Sequence, residues 1–210
     1  MKRRHTTLST MMVCLVIVSA NAFNVNSTSP LIEEDEVFRE AYYDSIHILS
    51  TANACSDFFG GSATSVEAFN NLFARVGREF LTPSIGLRMS GVTTNVVNIT
   101  TGKKHRLFDK VSINRNGPFY RYRMSETQPT VPGVGSYPPN TREARVLMLL
   151  HELGHVVEVN GSWVLPDDGR NQELSRSNTR KVEDVCRRQI RSVWNRKATV
   201  VPAKVNPEPQ

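Results

Sequence analysis

No apolar run in this 210-residue chain is long enough to span a bilayer as an ordinary helix; Met11–Val18 (MMVCLVIV) falls well short. There is no internal repeat. With 39% hydrophobic, 22% charged and 8% aromatic residues, a coiled coil, a collagen and a wholly disordered chain are excluded. Cysteine is scarce, three in all. Strong charge of one sign is also missing. The formal charge is +6, and part of that belongs to the N-terminus.

Lys2, Arg3 and Arg4 form a positive leader, Met11–Val18 an apolar stretch, and Ala20-Asn21-Ala22 a small-x-small site before Phe23. In that order they predict a secretory signal peptide over residues 1–22. Cleavage removes those three of the 26 basic residues and none of the 20 acidic ones, so +6 becomes +3. That charge gives no ground for a nucleic-acid partner. The expected location is secreted or periplasmic, without stable membrane insertion after cleavage. Cys14 leaves with the signal and lacks the small-residue context of a lipid-modified cysteine. Cys55 and Cys186 remain, an even pair in an oxidising compartment, and are expected to form a disulfide. Closing so long a loop contributes roughly 3–5 kcal/mol on chain-entropy grounds.

Along the chain, residues 33–50 place acids early and apolar residues at helical spacing, predicting a helix. Thr64 or Ser65 is positioned to cap a second helix running to about Phe80. Residues 87–123 change to strand character. Asn116-Gly117, between Val111–Asn114 and Phe119–Arg123, predicts a hairpin in a short antiparallel sheet. Residues 125–140 are a Pro/Gly/Ser-rich loop. Thr141 then caps a helix predicted to reach Asn160-Gly161. A polar loop covers 162–176, and a last helix about 178–194. The fold class is α+β: one domain over 23–197, with a flexible tail at 198–210.

His151-Glu152-Leu153-Gly154-His155 is an HExxH motif inside the apolar helix. Residues four apart project from one face, so two imidazoles can grip one ion. A zinc ion there lowers the pKa of a bound water, and Glu152 beside the first ligand can accept its proton. Val146, Leu149, Leu150, Leu153 and Val157 supply the helix with apolar positions, and burying His and Glu among them without a partner would be costly. Gly154, costing about 1 kcal/mol relative to Ala in a helix, points to close approach of another backbone.

The HELGH helix, with a small sheet before it and a loop and helix after it, resembles the zincin class of metallopeptidases. It is most similar to small exported bacterial zincin-like proteins, through Pro166-Asp167-Asp168, Ser175–Thr179 and Cys186. The resemblance covers roughly residues 105–190. It implies zinc on His151 and His155, Glu152 as the base, and an edge strand offered to a peptide or protein substrate. The metzincin pattern fails, because Glu158 and Gly161 stand where Gly and His are required. The third ligand is then a downstream carboxylate: Asp168 first, with Glu183, Asp167 and Glu173 as alternatives. The expected function is a secreted zinc metallopeptidase. The alternative is a zincin-like metal-binding or structural protein that hydrolyses nothing. Tyr120, Tyr122, Tyr137 and His105 are weaker candidates to assist the developing oxyanion, each read first as structural.

Overall fold

The computed structural model describes residues 29–98, 102–123, 125, 131–169 and 171–195. The expected signal peptide and the expected flexible tail, residues 1–22 and 198–210, lie outside them. The fold is mixed α+β, with helices around a small sheet. Among the described residues no helix is long and apolar enough to cross a membrane.

The first helical stretch is two helices, α1 (Pro30–Glu34) and α2 (Glu36–Ser50), because Asp35 is extended and its carboxylate caps α2 at the N–H of Phe38. Short α3 (Ala54–Phe58) follows. Helix α4 (Ser62–Phe73) begins after Gly61, not at a Thr64 or Ser65 cap, and stops short of Phe80. Val76–Glu79 forms strand β1 instead, paired parallel to β3 (Lys104–Asn114). Strand β2 (Leu87–Val97) pairs antiparallel to β3 on its other side. The sheet is therefore mixed, in the order β1-β3-β2.

The predicted hairpin at Asn116-Gly117 does not form. Fully buried Asn114 organises that corner: its carbonyl oxygen accepts from the N–H groups of Leu81 and Asn116, and its amide donates to the carbonyls of Thr82 and Ile85. A Cβ on Gly117 would lie 2.1 Å from the Ile85 oxygen, so this glycine serves close approach rather than a left-handed turn.

Helix α5 (Arg142–Val156) starts as predicted, with Thr141 accepting from the N–H of Ala144. Nearly all of it is buried, in contact with α2, α4 and α6. It ends four residues before Asn160. Val157 turns extended and bridges His105 of β3. Asn160 and Gly161, with φ of 53° and 78°, then make a two-residue hairpin between β4 (Glu158–Val159) and β5 (Ser162–Trp163). Helix α6 (Gln172–Ser192) starts six residues earlier than predicted, capped by Asn171. The core joins α5 to Phe38, Phe69, Phe73 and Phe119, whose rings pack at centroid distances of 4.7–6.2 Å. The Cys55–Cys186 disulfide is present and pins α6 to α3. Asp44 receives Arg142 at 2.5 and 2.8 Å, fastening α2 to the first turn of α5.

Candidate metal centre

The HExxH residues lie on the last two turns of α5, where a helix leaves carbonyls without intrahelical donors. The returning chain supplies donors there. The Leu165 N–H reaches the Gly154 oxygen at 2.9 Å, and Arg106 Nε of β3 reaches the His155 oxygen at 2.5 Å. Gly154 makes the first contact possible: a Cβ there would stand 2.5 Å from Leu165 Cδ1 and 2.6 Å from its Cγ. The close approach at Gly154 is thus that of Leu165, whose side chain takes the space of a Cβ and whose N–H bonds the Gly154 carbonyl. Leu165 is fully buried, and three residues later the chain delivers Asp168.

His151, His155 and Asp168 converge. The two Nε2 atoms are 3.1 Å apart, and Asp168 Oδ2 is 3.2 Å from the first and 3.5 Å from the second. In a tetrahedral zinc site with the usual bond lengths, ligand atoms stand about 3.3–3.6 Å apart. One of the three gaps lies within that range and the other two are about 0.1–0.2 Å shorter than its lower end. His151 and His155 are 7% and 3% exposed. Asp168 Oδ2 and His155 Nδ1 are buried without a well-formed hydrogen bond, and an oxygen so placed among imidazoles fits a cation.

Thr179 of α6 backs the His151 ring on the side away from the cluster. Its hydroxyl oxygen lies 2.9 Å from the Ser175 carbonyl oxygen and 3.1 Å from His151 Nδ1. Nδ1 thus has a partner on α6, and Nε2 is the ring nitrogen turned toward Asp168 and His155. Asn178, one residue earlier, donates to the Pro166 carbonyl at 3.0 Å and holds the loop that carries Asp168.

Charge follows this geometry. Burial works against ionisation of Asp168, but the two imidazoles outweigh it and hold the carboxyl well below the usual carboxylate range. For His155 burial pulls downward, yet the Asp168 carboxylate, with Glu152 and Asp167 behind it, raises the pKa above its ordinary value. Half-buried Glu152 has its pKa raised by burial and by Asp168, against the pull of both histidines.

The other carboxylates are elsewhere. Glu183 is 2% exposed and accepts from the Ser136 N–H at 3.0 Å and from the Ser136 hydroxyl, which removes it from the imidazoles. Asp167 receives both terminal nitrogens of Arg106. Glu173 is exposed in the first turn of α6. Tyr120 donates to Asp35 at 2.6 Å, His105 meets Asn71 at 3.0 Å, and Tyr122 is exposed. Tyr137 is buried in the 131–140 loop. Sequence reasoning missed Thr179 and Arg106. Thr179 precedes Val182 and Cys186 at helical spacing and was legible once α6 is started at Gln172.

No family model matches the chain, and no curated protein or solved structure matches it.

Proposed function

We propose that this protein is an exported zinc-dependent peptidase of zincin type, with His151, His155 and Asp168 as ligands and Glu152 as general base. The observation that carries the reading is the spacing of three ligand atoms at 3.1, 3.2 and 3.5 Å, two of them one helical turn apart. Zinc bound there supplies an activated water and a Lewis acid for a substrate carbonyl. The chain's own groups supply the rest. Glu152 neighbours both histidines, and its raised pKa suits a carboxylate that accepts a proton from water and returns it to a leaving amine. Thr179 backs the His151 ring nitrogen facing away from the cluster. The Cys55–Cys186 bond and the leader-like N-terminus support export.

The depth of the imidazoles favours one second reading, a metal-binding or structural protein without hydrolysis. Zinc content and peptide cleavage, measured on the parent and on Glu152→Gln, separate the two. Zinc in both proteins and cleavage by the parent alone is the expected result. Zinc in both and cleavage by neither replaces the peptidase with the metal-binding protein. A parent that takes up no zinc ends the peptidase and the metal-binding protein alike and leaves the structural protein.

A further inference from the structure

Arg106 is 9% exposed, and no motif points to it. Its guanidinium lies 4.4 Å from the Trp163 ring and 5.7 Å from that of Phe108. Its Nε holds the last turn of α5 through the His155 carbonyl, while its two terminal nitrogens take the carboxylate of Asp167. One planar group thus ties the ligand-bearing helix to the residue next to Asp168. That fork geometry belongs to arginine and not to lysine. Among the described residues, two further hydrogen bonds hold the segment between Leu165 and Asn171. Asn178 holds the Pro166 carbonyl, and the Asn171 N–H reaches the Asp168 carbonyl at 2.7 Å. The Asp168 carboxylate itself faces the imidazoles, with like-charged Glu152 close by. Its place therefore depends on what grips its neighbour.

We propose that Arg106 is a positioning residue for the metal centre, holding Asp168 at ligating distance through Asp167 and the His155 carbonyl. The inference rests on the zinc reading above. It makes a prediction opposite in sign to simple electrostatics. A guanidinium near a cation site repels the cation, so removing it should tighten zinc binding if charge alone mattered. The clamp requires that removing it weaken binding.

The test is a zinc titration of metal-free protein, by competition with a chromophoric chelator, on the parent, R106Q, D167N, the double variant and D168N. Cobalt(II) absorption reports the coordination geometry of each, and circular dichroism with thermal unfolding reports folding. Asp167 is 69% exposed on its side chain, so D167N keeps the test open if R106Q fails to fold. The expected result is about tenfold weaker zinc for each single variant, with no further loss in the double. The cobalt spectrum should weaken in parallel. Tighter binding in R106Q, parent-like binding in D167N, or additive losses would overturn the clamp while D168N still loses zinc. Should the parent bind no zinc, or D168N bind it as the parent does, the zinc reading itself fails, which is a separate and visible outcome.

Discussion

Asp168 and Glu183 are both carboxylates withdrawn from solvent near α5, and both stood as possible third ligands. They differ in what surrounds their oxygens. Glu183 is met by a backbone N–H and a hydroxyl from Ser136, with Arg187 at 3.3 Å, so its lone pairs are taken within the protein. A Cβ on Gly135 would stand 2.2 Å from its oxygen, so the 131–140 loop is shaped around it. Among the described residues the Asp168 carboxylate is met by two imidazoles and keeps an oxygen without a well-formed hydrogen bond. A buried carboxylate joins a loop to a helix when donors answer it and can hold a cation when they do not.

The sharpest way to break this comparison is to neutralise each in turn. Asp168→Asn should weaken zinc binding by at least about 100-fold, beyond the range of indirect effects, and leave the fold intact. Glu183→Gln should leave zinc affinity nearly unchanged and cost roughly 1–3 kcal/mol of stability by disturbing a buried hydrogen-bond network. Calorimetric zinc titration and chemical unfolding of both variants check this, and an exchange of the two phenotypes would refute it. Gly154→Ala comes next. It drives a methyl into Leu165, and should destabilise by roughly 1–3 kcal/mol while also lowering zinc affinity, because Asp168 follows Leu165. Thr179→Val should weaken zinc about tenfold with little change in unfolding free energy, since it removes the partner of His151 Nδ1. Thr179→Ser should restore most of it.

The smallest effect is a pair of opposed pH slopes. In metal-free protein the raised His155 contributes stability that is fully present below its unfolded value near 6.5 and lost as pH rises through the higher folded value. The depressed Asp168 contributes stability present above 3.8 and lost only as pH falls through its much lower folded value. The pair therefore stabilises the metal-free fold most at mildly acidic pH. Zinc needs neutral imidazole, so its affinity rises with pH over the range where that stability declines. Melting temperatures and zinc affinities across pH 5–9 should slope in opposite directions, and Asp168→Asn should flatten the first curve.

Two Asn-Gly pairs show how far the sequence was legible. At Asn160-Gly161 both residues take positive φ and the pair is a hairpin turn, yet the strong helical pattern before it hid the two short strands. At Asn116-Gly117 the expected hairpin is replaced by the side-chain hub of Asn114, a long-range arrangement that no local signal announces. The helix bearing His151, Glu152 and His155 was readable because burial, capping and ligand spacing agree on one segment. Strand β1 was not, since Val76–Glu79 continues an apolar helical rhythm and becomes a strand only by pairing with β3. Asp168 stood first among the alternatives, but its selection depends on Gly154, Asn178 and Arg106, which lie far apart in sequence.

The most direct measurement is a crystal structure of the zinc-soaked protein with anomalous scattering recorded at the zinc edge. The account predicts one peak about 2 Å from His151 Nε2, His155 Nε2 and an Asp168 carboxylate oxygen. A peak bound through Glu183, or no peak between the two imidazoles, would contradict it.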